Sequence, residues 1–207
     1  MKPSVYTRPR KPVVIPVRRR DDFAPLVKIE APEIVTVDKA TECHVTPPNI
    51  AAQMVSYLPR VGDILTLEPS AGTGNLSRAL IEAGQSRYEL TQVERHIRLS
   101  HGLQQFGAVI NRCFLEYAEE ARGKVQFPNV IMNPPFSDVR KHISAAISLM
   151  GSNGHSDFET GGRYRATLVA LVPITFNRDG FEDMEYLPDD TFSTAKVRTK
   201  IVRYRAQ

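Results

Sequence analysis

The chain has 207 residues, with 27 Lys plus Arg against 23 Asp plus Glu, 42% hydrophobic residues and two cysteines. That length and composition suit one globular domain, or one domain with a tail, while two cysteines (Cys43 and Cys113) exclude a disulfide scaffold and point to a reducing compartment. No apolar run approaches the roughly 18 residues of a membrane span, and the basic start lacks an apolar h-region, so a soluble cytoplasmic protein without a signal peptide is expected.

Residues 1–20 hold Lys2, Arg8, Arg10, Lys11, Arg18, Arg19 and Arg20 with no acid, which leaves residues 21–207 with a net charge of −3. Pro3, Pro9, Pro12 and Pro16 oppose a helix here. The composition predicts an extended or disordered basic arm, placed at residues 1–40, ahead of one domain over 41–207. Such an arm suits a phosphate backbone, with Arg18, Arg19 and Arg20 as candidate contacts. A solubilising tail with no partner fits the same composition.

From about residue 61 strand and helix patterns alternate. Ile64–Leu67 reads as a strand, followed by the turn Pro69-Ser70-Ala71-Gly72-Thr73-Gly74 and a helix with Leu76, Leu80 and Ile81 on one face. Tyr88 to Val93 is a second strand, Arg95 to Gln105 a helix, Ala108 to Ile110 a third strand and Phe114 to Ala121 a short helix. Val130 to Met132 is a fourth strand ending in Asn133-Pro134-Pro135-Phe136, and Asp138 to Met150 a helix. A Gly/Ser/His loop covers 151–164, the apolar run Ala166 to Val172 is a central strand, and Val197 to Tyr204 is the last. Between Pro173 and Asp190 a short helix and an edge strand are expected. The alternation predicts a doubly wound, mostly parallel α/β sheet.

Two turns carry chemistry. In Glu68-Pro69-Ser70-Ala71-Gly72-Thr73-Gly74-Asn75, Gly72 and Gly74 allow backbone angles and a close approach that a Cβ would block, and the helix that follows offers free N–H groups. Glu94, ending the second strand, is placed to accept two ribose hydroxyls. This set fits a dinucleotide nearly as well as S-adenosylmethionine. The third glycine of the dinucleotide fingerprint is absent, however, and Glu68 would repel a pyrophosphate while suiting a cationic ligand, so S-adenosylmethionine is the expected cofactor. In the second turn the Asn133 side-chain oxygen and the Pro134 carbonyl can hold both hydrogens of an exocyclic amine. Pro135 stiffens the turn, and Phe136 offers a flat face for a planar ring.

The ordered set Thr46-Pro47-Pro48, Glu68 to Gly74, Glu94 and Asn133-Pro134-Pro135-Phe136 resembles the N6-adenine DNA methyltransferases of the amino-methyltransferase class, over roughly residues 44–204. The resemblance implies a class I, Rossmann-like sheet of seven strands with the last antiparallel, and methyl transfer from S-adenosylmethionine to adenine N6 in DNA. It implies Asn133, Pro134, Pro135 and Phe136 at the catalytic turn. Thr46, Pro47, Glu68, Ser70, Gly72, Gly74, Asn75, Glu94, Cys113, Phe114 and Asn133 would hold the cofactor, and Phe192 would face a flipped adenine opposite Phe136.

Three departures stand out. Arg112-Cys113-Phe114-Leu115 replaces the Asp-Phe-Leu expected after the third strand, the region after the fifth strand is short, and no target-recognition domain is present. Low sequence specificity is therefore expected, with a phage or bacterial setting by family analogy. RNA adenine, a protein glutamine amide, and a silent nucleic-acid-binding module of the same fold are the competing readings. Neither a metal nor a membrane is expected among the partners.

Overall fold

The computed structural model describes residues 13–17, 33–37, 45–157, 159–189, 191 and 197–206. Val13–Val17 (β1) and Glu33–Val37 (β2) pair antiparallel, with Val13 opposite Val37 and Val17 opposite Glu33. Both fall in the segment read as an arm. Arg18, Arg19 and Arg20 lie outside the described residues, as does Phe192.

Helix α1, Pro48–Ser56, opens the body. Pro48 in its first turn costs no hydrogen bond, because the first N–H groups of a helix lack partners in any case. Ile50, Ala51, Met54 and Val55 form its buried stripe. The sequence reading did not include this helix, although that i, i+1, i+4, i+5 spacing carries its signature.

Seven strands follow: β3 (Thr66–Pro69), β4 (Leu90–Val93), β5 (Ala108–Ile110), β6 (Asn129–Met132), β7 (Thr167–Pro173), β8 (Phe181–Tyr186) and β9 (Thr199–Arg205). They form one sheet in the order β5-β4-β3-β6-β7-β9-β8. The pairs from β5 through to β7 are parallel, and β9 runs antiparallel to both β7 and β8. The seven-stranded sheet with its last strand reversed is as the sequence implied. Helices α2 (Asn75–Glu82), α3 (Ile97–Leu103), α4 (Phe114–Ala121) and α5 (Val139–Ser148) connect the parallel strands, and a 3-10 turn at Phe136–Asp138 leads into α5.

The pleat divides the apolar strands between two cores. Ile131, Val169, Leu171 and Ile201 pack under α1 and α2. Their neighbours Val130, Met132, Leu168, Ala170, Val172 and Val202 point to the other face, under α4 and α5.

One expectation is corrected. No helix forms among the described residues between Pro173 and Asp190, where only turns and β8 occur. Prolines bracket the stretch at 173 and 188, and Asn177 and Asp179-Gly180 favour turns. The strand is held by its ladder with β9 and by the stacking of Phe181 on Tyr204 at 5.1 Å, with cross-strand ion pairs added: Lys200 to Asp183 at 2.7 Å and Arg203 to Glu182 at 2.6 Å. Among the described residues, no helix is long and apolar enough to cross a membrane.

Candidate active site

The chain runs outward from β3 to β4 and β5, then returns to lay β6 on the other side of β3. Helices leave in opposite directions at that reversal, and the carboxyl ends of the strands there bound a crevice. It holds a cavity of about 360 Å³.

The glycine turn forms one wall. Ser70 (φ 55°) and Gly72 (φ 57°) lie in the left-handed region, as does Gly74 (φ 79°) at the N-cap of α2. A left-handed serine is uncommon and costs backbone energy that the surrounding structure must offset. The turn is held by Ala71 N–H donating to the Val93 carbonyl and Gly74 N–H to the Ala71 carbonyl, both at 3.0 Å. Ser70, Gly72 and Asn75 line the cavity; Gly74 is buried beneath it.

Glu94 lines the same cavity and is 5% exposed. Gly72 N–H donates to its Oε2 at 2.9 Å and His96 N–H to its Oε1 at 2.7 Å. These bonds fix the carboxylate plane. Two of its roughly four acceptor positions then stay open for a vicinal diol.

Thr46 joins the walls. Its carbonyl accepts from Asn75 Nδ2 at 2.7 Å, and its hydroxyl oxygen accepts from Asn133 Nδ2 at 3.0 Å. The segment ahead of α1 is thereby tied to both the glycine turn and the Asn-Pro-Pro-Phe turn. Asn133 and Pro135 reach the cavity wall, whereas Pro47 and Pro134 do not. Phe136 is buried and packs with Val197 at the start of the last strand segment. Arg112, Cys113, Phe114 and Leu115 also line the cavity, together with Asp138 and His142. Sequence reasoning did not name Asp138 or His142, although their i, i+4 spacing puts them on one face of the helical segment.

Glu68 is elsewhere. It is 1% exposed and off the cavity wall, so its charge does not face a ligand there. Glu68 sits opposite Gln92 in the β3–β4 register, and both side chains meet Ser77 of α2. The Gln92 amide donates to the Leu103 carbonyl at 3.1 Å, which turns its Oε1 toward Ser77 Oγ, 2.6 Å away. Ser77 has a single hydroxyl hydrogen. Once that is given to Gln92, only a protonated Glu68 can complete the close contact between Glu68 Oε2 and Ser77 Oγ. Burial pushes the Glu68 carboxyl from 4.5 up to about 8, against the opposing effect of the Ser77 hydrogen bonds and with the Glu94 charge adding to the rise.

No family model matches the chain, and no curated protein matches it. Solved structures do share its fold. The 23S rRNA methyltransferase ErmE superposes with a TM-score of 0.59 at 18% identity, over 80% of this chain and 70% of that one. A modification subunit of a putative type I restriction enzyme from Vibrio vulnificus YJ016 gives 0.61 at 14% identity, over 78% of this chain and 44% of that one. Magnesium protoporphyrin IX methyltransferase (ChlM) from Synechocystis PCC 6803 with bound SAM gives 0.50 at 14% identity, over 77% of each chain. The architecture is the Rossmann-like methyltransferase fold.

Proposed function

We propose that the chain is an S-adenosylmethionine-dependent methyltransferase acting on nucleic acid, and specifically on the N6 amine of adenine in DNA. The observation that carries this reading is that Glu94 and Asn133 line one cavity at the carboxyl ends of β3, β4 and β6. A diol-binding acid and an amine-binding turn thus serve a single volume. The methyltransferase architecture, and fold neighbours that include a 23S rRNA methyltransferase and a modification subunit of a putative type I restriction enzyme, support it.

The residues fit the cofactor. Glu94 keeps acceptor positions for the ribose hydroxyls, Phe114 gives the base an apolar face, and Ser70, Gly72 and Asn75 surround the amino-acid part. When bound, the cofactor supplies an electrophilic methyl group on a sulfonium. The chain's own work is to position and polarise the acceptor. The Asn133 side-chain oxygen draws a hydrogen of an aromatic amine toward itself from the cavity wall, whereas the Pro134 carbonyl paired with it in the sequence reading is not on that wall. The nitrogen lone pair is then directed out of the ring, and no strong base is needed. In this reading Phe136, with Phe192, packs the extruded base, and Arg18, Arg19 and Arg20 bind phosphate.

The test is transfer of labelled methyl to unmethylated DNA, ribosomal RNA and a glutamine-bearing protein in parallel, read by mass spectrometry of the digested products. N6-methyladenine in DNA alone is expected. Asn133→Ala should lower turnover by at least a hundred-fold, about 3 kcal/mol of barrier, with cofactor binding by calorimetry within about two-fold of wild type. Label in RNA or protein would change the acceptor, and an Asn133→Ala enzyme of normal rate would remove the assigned role.

A further inference from the structure

Within that reading, one residue beside Phe114 on the cavity wall has unused hydrogen-bonding capacity. His142 lies on α5, is 7% exposed and borders the cavity. Its ring centroid is 5.6 Å from that of Phe114, at 39° between planes. Its Nδ1 is buried and has no hydrogen-bond partner among the described residues. A buried imidazole nitrogen without a partner is costly, and a half-turn about Cβ–Cγ exchanges Nδ1 with the ring carbon Cδ2, giving the ring a second side on which to present the acceptor.

The orientation of a bound nucleoside follows from the walls. With its ribose hydroxyls on Glu94, the sugar's two substituents point to opposite ends of the cavity. The methyl-bearing chain must reach Asn133, so the base is directed toward Phe114 and His142. At that end the side-chain acceptors are few. Cys113 is a weak acceptor. The Asp138 carboxylate is committed to Lys141 at 2.8 Å and its side chain is 45% exposed, which places it at the mouth rather than in the interior. Ser137 also lines the cavity but is exposed, which leaves His142 as the enclosed acceptor beside Phe114 among the described residues.

We propose that His142 recognises the purine of the cofactor, accepting a hydrogen bond from the exocyclic amine while Phe114 covers the ring face. Burial lowers the His142 pKa, with Arg95 and Lys141 adding to the effect and Asp138 opposing it, so the neutral ring with its free lone pair is the form present near neutral pH. The residue thereby supplies the acceptor that the Arg112-Cys113-Phe114-Leu115 segment lacks.

This proposal rests on the cofactor reading, and the experiment separates the two. Calorimetry would compare S-adenosylhomocysteine with its analogue lacking the 6-amino group, against wild type, His142→Phe and His142→Asn. Phe keeps a ring against Phe114 without an acceptor, and Asn restores an acceptor in a smaller side chain; circular dichroism and thermal melting would verify folding of each. Wild type is expected to prefer the amino form about five- to ten-fold, the effect of one buried hydrogen bond. In His142→Phe the two ligands should bind within two-fold of each other, and His142→Asn should regain part of the preference. Full discrimination by folded His142→Phe, or an absence of discrimination in wild type, would overturn the role of His142. Failure of wild type to bind either ligand would overturn the cofactor reading itself, with which this proposal also falls.

Discussion

At the scale of single residues, Glu68 and Glu94 show how far an acid's neighbours decide its role. Both end strands at the same crevice, and in sequence both read as ligand acids. Glu94 reaches the cavity with two backbone N–H donors on its oxygens, whereas Glu68 turns into the layer between the sheet and α2 and meets Ser77. The residue type and spacing pointed to Glu94, which does line the cavity; which face of β3 carries Glu68 depends on the pleat and on the helix above it, which no local pattern encodes. The difference has a measurable consequence. A carboxyl raised from 4.5 to about 8 on folding binds more protons in the native state across that window. Stability is therefore greatest below about pH 4.5 as far as this group is concerned, and its contribution is lost as pH rises through about 8. Glu68→Gln keeps the shape, and its amide can donate to Ser77. We expect thermal melting of wild type to include a decline between pH 5 and 8 that this variant lacks, with ligand affinity unchanged at pH 7. An identical pH profile in both would mean that Glu68 is ionised in the fold.

At the scale of elements, the glycine turn and the helix behind it were legible because strand, glycines and helical periodicity occur in succession within one short stretch. Helix α1 was not read, because its prolines masked a periodicity that begins only at Ile50. The expected helix after β7 failed for the opposite reason: a connection of helical length there is occupied by turns and by β8, whose place is set by long-range pairing with β9, with Lys200 and Arg203 adding ion pairs across it. Gly74 joins the turn to α2 and is the sharpest test of that junction. Its φ of +79° is costly for any L side chain, and an added Cβ would lie 2.7 Å from Leu103 Cδ2 and 3.0 Å from Phe106 Cε2. Backbone strain of about 1–2 kcal/mol and crowding of two buried side chains give an expected loss of roughly 2–3 kcal/mol for Gly74→Ala. The check is the urea midpoint at constant m-value. A loss under about 0.5 kcal/mol would show that the turn relaxes freely, an outcome typical of unconstrained surface sites.

At the scale of the whole molecule, charge is segregated along the chain. Residues 1–20 carry seven cations and no acid, and the remainder is net negative. A body of that sign repels a polyanion at long range, so the affinity of the whole for nucleic acid must draw on local cations. The densest run is Arg18-Arg19-Arg20, directly after β1. Counterion release gives this a quantitative form, since each duplex phosphate contact contributes about 0.9 to the slope of log K against log salt. Replacing all three arginines by alanine leaves β1 and the Asn-Pro-Pro-Phe turn unaltered in sequence, so the slope should fall by about 2–3 while turnover at saturating DNA stays within two-fold. Binding to single strands should lose less, at about 0.7 per contact. Sequence preference among methylated sites should not change, because phosphate contacts position a duplex without reading it. An unchanged slope would assign phosphate binding to cations of the body instead. A changed site preference would mean that the segment reaches base edges, a role that three consecutive arginines can fill only inside a groove.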